Sequence, residues 1–461
     1  MFSKETYIGR RDGLCRQIDS GILLLLGNGD SPMNYRDNIY PFRQDSSFLY
    51  YIGLNQPDLA AIIDVDEGSA VVFGDELTID HIVWTGFQPT IAERAARIGI
   101  DKTRPRTDLT AAVQTAVGAG RSVHTLPPYR ADNRIELMRL LEVHPDEAGA
   151  GASPELIRAV VAQRSIKSAE EIELIESAVD TSVDMHVAAM KMVRPGMREA
   201  EIAAEVERVA RAAGGRTSFP VIATVHGEIL HNLHYGNTTE SGQLFLLDCG
   251  AETEHGYAGD LSSTFPVAES FTERQKTIYE IALAAHVAAV DTLAPGVPNK
   301  DVHFAAARTI AEGMKDLGLM MGDLDEAVAA GAHAMFFPCG VGHMMGLDVH
   351  DMEDLGEVQV GYDGVAKSTQ FGLKSLRLAR PLEPGFVLTI EPGIYFVPQL
   401  MDLWRSEGQF TEFLDYDRLD QWRDFGGIRN EEDYLITASG KRRLGKPKPM
   451  TVADVEAIRR S

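Results

Sequence analysis

Apolar and polar positions fall into two rhythms along the chain. Up to residue 154, short apolar runs at Ile22–Leu26, Ala60–Val65 and Ala70–Phe73 alternate with stretches of helical spacing. That alternation predicts strands interleaved with helices in a small α/β domain. The segment Val143–Pro154, VHPDEAGAGASP, is rich in short residues and holds two prolines, so it reads as a linker. Domain boundaries of 1–154 and 155–461 follow.

Beyond it the period lengthens. Ser168 and Glu171 have the spacing of a capping box. Ile172, Ile175, Val179, Val183, Val187 and Met190 then recur every three or four residues, one apolar face of a long helix. This helix should stop at Arg194-Pro195-Gly196, and a second follows with Ile202, Val206 and Val209 on one side. About one hundred residues on, the arrangement returns: a helix from Thr272, a stop at Ala294-Pro295-Gly296, and a helix carrying Val302, Ala306 and Ile310. This weak internal repeat points to two related halves. Apolar runs at Phe219–Val225, Gln243–Cys249, Leu261–Val267, Phe386–Ile390 and Tyr434–Thr437 read as strands, giving an α+β domain.

Charge narrows the partners. The 68 acidic residues outnumber the 44 basic ones, for a net charge of −24. Such a chain is poorly suited to nucleic acid or to an anionic membrane surface. No apolar window is long enough to span a bilayer. Three distant cysteines, Cys15, Cys249 and Cys339, form no disulfide framework and fit a reducing cytoplasm.

Candidate chemistry sits at the ends of the apolar runs. Asp248 closes Leu244–Leu247, and Asp260 follows twelve residues later. Either aspartate alone reads first as a turn or cap residue. His343 is flanked by Gly340 and Gly342, and His350 follows seven residues on. Glu391 ends Val387–Ile390 and precedes Pro392-Gly393, while Glu431 follows Gly426-Gly427-Ile428-Arg429-Asn430. A buried, unpaired carboxylate is costly, and a metal would provide the partner. Four carboxylates and an imidazole make a hard donor set suited to Mn²⁺, or to Co²⁺ or Zn²⁺. Their four negative charges match two divalent ions, and a dinuclear centre can activate water and stabilise developing oxygen charge. Spacing alone does not make the five residues converge.

Four ordered blocks, LLDCGAETEHGYAGDLSSTFPV, GVGHMMGLDVHD, VLTIEPGIYF and GGIRNEEDYLIT, resemble the signature segments of the pita-bread metallopeptidases, and within them the Xaa-Pro peptidases prolidase and aminopeptidase P. FRQDSSFLYYIGL (42–54) is similar to the N-terminal domain of such enzymes, and IKSAEEIELI to the start of their catalytic domain. The resemblance implies a pita-bread catalytic domain after a smaller creatinase-type α/β domain. It implies Asp248, Asp260, His343, Glu391 and Glu431 as ligands of two metal ions, with Asp260 and Glu431 bridging. It implies hydrolysis of Xaa-Pro bonds by a metal-bridging hydroxide, with Glu391 as proton shuttle. By the same resemblance His234 contacts the substrate, His350 helps to stabilise the tetrahedral intermediate, and Arg429 lies near the metals. A homodimer or higher homo-oligomer is also implied.

FGLKSLRLARPL (371–382) resembles a prolidase segment whose last arginine binds the free carboxylate of a dipeptide, and that arginine aligns with Arg377. A guanidinium clamp of this kind is bidentate and charge-assisted. The competing reading is a basic helix face of Lys374, Arg377 and Arg380. The main expectation is therefore an Xaa-Pro dipeptidase. Its alternatives are an aminopeptidase P acting on longer peptides, a non-enzymatic peptide- or partner-binding protein on the same fold, and, less in keeping with the carboxylate set, a metal-free creatinase-like hydrolase. Three features depart from the family pattern. The two aspartates are twelve apart rather than eleven, which places a bulge or longer turn at Thr253–His255. Cys339 replaces a histidine, and Asn430 replaces an apolar residue. His226 and His231 lie close to His234 in the chain.

Overall fold

The computed structural model describes residues 2–461. The chain divides into two compact units. One is the chain up to Arg164 together with Met352–Gln359; the other is Ser165–Asp351 with Val360–Ser461. The turn-rich stretch after Val143 leads into the helix Pro154–Ser165, and the division falls at Arg164 rather than at 154.

The N-terminal unit is built on a five-stranded sheet in the order β4-β3-β2-β1-β5. Its strands are β1 (Ile22–Leu26), β2 (Ala60–Asp64), β3 (Ser69–Phe73), β4 (Lys102–Arg104) and β5 (Val123–His124). β1, β2 and β3 pair antiparallel, while β4 and β5 add in parallel at the two edges. Ile22, Leu24, Ile62 and Phe73 bury one face of the sheet against Leu109, Val113, Leu137 and Leu140. The runs read from hydrophobicity are thus the central strands; the short, polar β4 had no such signal.

In the second unit the expected helix spans Ala169–Met192. The Ser168 hydroxyl caps the Glu171 N–H, and Glu171 reciprocates. Ile175, Val179, Val183 and Met190 are buried, with Ile172 and Val187 at the rim of the stripe. The second helix is Glu199–Ala212. The repeat is present: Thr272 and Gln275 cap Glu273–Thr292 in the same way, and Asn299–Asp316 follows with Val302, Ala306 and Ile310 buried. Gly196 and Gly296 turn the chain at equivalent places with φ of +93° and +82°, a conformation open to glycine.

Around these helices lie short sheets. β6 (Arg216–Thr217) pairs with β9 (Ala251–Glu252). β7 (Ile222–Thr224), β8 (Leu244–Cys249) and β10 (Leu261–Pro266) form one antiparallel sheet in the order β10-β8-β7. β11 (Val387–Ile390), β14 (Glu432–Thr437) and β15 (Gly440–Arg443) form another, and β12 (Gly393–Tyr395) pairs with β13 (Gly427–Arg429). Among the described residues no helix is long and apolar enough to cross a membrane.

Candidate metal centre

Strand pairing brings the acidic positions together. β8 and β10 run antiparallel with Asp248 opposite Ser262, which sets Asp260 at the start of one strand beside the end of the other. The twelve-residue spacing is absorbed by a hairpin turn: Glu252 bridges Ala258, the Thr253 N–H donates to the Tyr257 carbonyl at 2.9 Å, and the Gly256 N–H donates to the Thr253 carbonyl at 3.0 Å. Glu431 lies between β13 and β14, and its N–H donates to the Ser262 carbonyl at 3.1 Å.

The histidine loop is laid along β11. The His343 N–H donates to Thr389 Oγ1 at 3.2 Å, the Thr389 N–H donates to the His343 carbonyl at 3.0 Å, and the Glu391 N–H donates to the Val341 carbonyl at 2.8 Å. This close approach needs Gly342, where a Cβ would stand 1.9 Å from the Thr389 carbonyl oxygen. The far end of the loop is tied down by a buried ion pair, Lys167 Nζ to Asp351 Oδ2 at 2.9 Å.

The result is a buried acidic cluster with an imidazole in it. His343 Nε2 is 3.4 Å from Asp260 Oδ2 and 3.5 Å from Glu391 Oε1. One donor atom each from Asp260, His343 and Glu431 lie within 4.8 Å of one another. Ser262 Oγ donates to Glu431 Oε2 at 2.7 Å, and His343 Nδ1 faces the Met344 carbonyl at 3.0 Å, leaving Nε2 toward the carboxylates. Such an orienting contact is usual for a metal-binding histidine. Asp248 is held differently: its Oδ2 accepts from Arg429 Nη2 at 2.5 Å. Arg429 also donates to Ser262 Oγ at 2.9 Å and to Tyr395 Oη at 2.7 Å.

Burial, followed by the neighbouring carboxylates, pushes the Asp260 and Glu431 carboxyls well above their ordinary range. Burial also raises Glu391, partly offset by His343 and Arg429. Asp260 Oδ1 and Glu431 Oε1 are buried with no hydrogen-bond partner among the described residues. Orphaned carboxylate oxygens of this kind carry a substantial desolvation cost. A cation would satisfy them, and four carboxylates with one imidazole are hard donors, so these residues fit a divalent metal.

The remaining sequence candidates are less uniformly placed. His350 packs edge-on against His343 with ring centroids 4.3 Å apart. His234 is exposed, and its N–H is held by Asn232 Oδ1 at 3.1 Å. His231, three residues earlier, is the histidine of that loop in the field of Asp248, Arg429, His350 and Arg377; burial, then Arg429, lowers its pKa. Arg377 is half-buried and contributes to that same field. The basic helix face does not form: Leu373–Ser375 is a single 3₁₀ turn. Lys374 lies over the Phe371 ring, whereas Arg380 lies over Phe386 and donates to Ser165 Oγ. Burial beside Glu391 pushes the Cys339 thiol up to about 12, so it stays protonated. Asn430 turns away from the acidic cluster, its Oδ1 3.4 Å from the Tyr279 hydroxyl.

Several neighbours had no signal in the sequence. Ser262, Tyr395 and Asp433 are ordinary strand residues until pairing sets them beside Arg429 and Asp260. Asp433 Oδ2 accepts from the Asp260 N–H at 3.2 Å.

Comparison with known proteins gives this geometry a family. Residues 173–438 match the model of metallopeptidase family M24, and residues 7–124 match that of the aminopeptidase P N-terminal domain. The human Xaa-Pro dipeptidase is 31% identical over 462 residues, covering 95% of this chain and 89% of that protein. The Escherichia coli Xaa-Pro aminopeptidase is 29% identical, covering 99% and 98%. Among solved structures, Pseudomonas aeruginosa aminopeptidase PepP superposes with a TM-score of 0.81 at 29% identity, covering 100% of this chain and 98% of that one. A variant of Escherichia coli aminopeptidase P in complex with substrate gives 0.82 at 27% identity, covering 99% and 98%. The catalytic unit has the pita-bread fold, it follows an N-terminal domain of the aminopeptidase P type, and the chain belongs to metallopeptidase family M24.

Proposed function

We propose that this protein hydrolyses Xaa-Pro dipeptides, using two divalent ions held by Asp248, Asp260, His343, Glu391 and Glu431. The observation that carries the reading is the pair of buried carboxylate oxygens, Asp260 Oδ1 and Glu431 Oε1, left without a partner beside His343. When bound, the ions supply Lewis acidity to the scissile carbonyl and acidify the attacking water. Mn²⁺ suits the hard donors, with Co²⁺ and Zn²⁺ as alternatives.

The protein's own groups do the rest. Glu391, its carboxyl raised by burial, accepts the proton of the attacking water and delivers it to the leaving prolyl nitrogen. That nitrogen carries no hydrogen in the substrate, so proton delivery is needed for it to leave as an amine. Arg429 donates to Asp248 and holds it in place. His350, edge-on against His343, and His234 stand to contact the substrate; His231, in the field of Arg429 and Arg377, is a second candidate in the same loop. Arg377 clamps the free carboxylate of the dipeptide. A longer peptide has no carboxylate at that point.

The family relatives also favour a second reading. Several solved structures of high similarity are aminopeptidases P, and an enzyme of that kind would release the first residue from longer Xaa-Pro peptides. Turnover of a Gly-Pro type dipeptide against its C-terminal amide separates the two. The dipeptidase reading requires strong loss of kcat/KM on the amide; equal turnover of both overturns it.

The proposal extends to a reducing cytoplasm, consistent with three free cysteines, and to a homo-oligomer. In the N-terminal unit Ile79, Val83, Trp84 and Phe87 are 72–87% exposed, an apolar strip that a second copy would cover.

A further inference from the structure

A buried ammonium lies behind the ligand set. Lys448 follows β15 and is 5% exposed. Its Nζ donates to the Ser262 carbonyl and, at 3.0 Å, to Ser263 Oγ. From there the contacts run in two directions. Ser262 Oγ donates to Glu431 and accepts from Arg429 Nε. Ser263 Oγ meets His186 Nδ1 at 2.9 Å, and His186 Nε2 is 3.1 Å from the carbonyl of Cys249, the residue after Asp248. Lys448 therefore grips β10 at the two residues that back the ligand-bearing strands.

Among the described residues no carboxylate is within ion-pair distance of Nζ. A buried cation without a direct partner is costly unless a wider field holds it. Burial lowers the Lys448 ammonium to about 8, and the field of Glu432, Glu431, Asp433 and Asp248 opposes that, so it keeps its charge at neutral pH. The other titratable groups facing it, His186 and His286, are pushed down by burial to about 3 and about 4, and buried Cys249 stays a thiol. None of these three adds charge near neutral pH. The charges then match. Counted as ionised, Asp248, Asp260, Glu391, Glu431, Glu432 and Asp433, less Arg429 and the Arg443 that pairs with Glu432 at 2.9 Å, leave four negative charges, which two divalent ions cancel. Lys448 is the positive charge left over, and deprotonation of the attacking water introduces one negative charge.

We propose that Lys448 is a positioning residue of this centre: it braces Ser262 and Ser263 behind the ligands, and its charge favours the deprotonated attacking water. The proposal rests on the dinuclear reading given above. A nearby cation repels metal ions but eases deprotonation, so removing it has effects of opposite sign.

The test compares wild type with K448M, K448Q and K448R. Folding is followed by Tm, Mn²⁺ binding by titration calorimetry, and the pH profile of kcat/KM on a Gly-Pro type dipeptide. K448M should bind Mn²⁺ roughly tenfold more tightly, and the acid limb of its profile should move up by about one pH unit. K448R, which keeps the charge, should restore the limb. K448Q keeps a donor for the Ser262 carbonyl but no charge; it should shift like K448M, and it carries the test if K448M does not fold. A limb that stays put in the neutral variants, or Mn²⁺ binding that weakens in K448M and recovers in K448Q, would make Lys448 merely structural and overturn the proposal. Wild type that binds no Mn²⁺ would instead refute the metal reading itself.

Discussion

Glu431→Gln should change stability in opposite directions with and without metal. In the metal-stripped protein Glu431 is buried among Asp260, Glu391, Asp248 and Asp433; its Oε1 has no partner, and burial with its neighbours pushes the carboxyl well up. Its folded-state pKa is raised, so its contribution to stability is intact below the unfolded value and is lost as pH rises through the folded one. A neutral amide removes that burden and offers donors to the adjacent carboxylates. Satisfying one buried polar group contributes about 1–3 kcal/mol. At ~1 °C per kcal/mol for a chain of this length, stripped E431Q should melt roughly 1–3 °C above stripped wild type at neutral pH. Near pH 3, where Glu431 is protonated in both states, the gain should vanish. With Mn²⁺ the order should invert, because metal that binds only the folded state stabilises wild type by about 2.7 kcal/mol at a hundred times Kd, and the variant lacks one donor. Differential scanning calorimetry of both proteins, stripped and loaded, at two pH values measures all four terms. Equal melting losses with and without metal would show that Glu431 is an ordinary core residue and refute the reasoning.

Other outcomes follow from the same geometry. Arg377→Met should raise KM for Xaa-Pro dipeptides by roughly tenfold or more while sparing tripeptides, and Arg377→Lys should recover it only in part, since lysine cannot form the two-point contact; steady-state kinetics on both substrates reads this. His234→Ala should lower kcat/KM on the dipeptide; a larger loss in His231→Ala, whose imidazole lies in the field of Asp248 and Arg429, would move the substrate contact to His231. Gly342→Ala would drive a Cβ to 1.9 Å from the Thr389 carbonyl, so the loop must move away from β11. It should destabilise the protein by about 2 kcal/mol or more and weaken Mn²⁺ binding through displacement of His343. Melting temperature and calorimetric metal affinity check it.

The parts legible in the sequence were those written in local pattern. Ser168 capped its helix as its spacing required, the helix from Thr272 formed where it was read, and the apolar runs ending in Asp248 and Glu391 became strands because they are buried on both sides. The proline-glycine stops disclosed the repeat. What pattern did not disclose lies in long-range pairing. Asp433 and Lys448 come near Asp260 and Ser262 across more than 170 positions, and nothing local marks either as part of a charge network. The three basic residues at 374, 377 and 380 had helical spacing, but Gly372 and the extended Leu376 leave only one 3₁₀ turn, so they diverge.

The most direct test of the central claim is hydrolysis of an Xaa-Pro dipeptide and an Xaa-Pro-Pro tripeptide by metal-stripped protein, with and without added Mn²⁺. The account predicts dipeptide turnover that appears only with metal. Turnover by the stripped protein, or none of either peptide under any divalent metal, would contradict it.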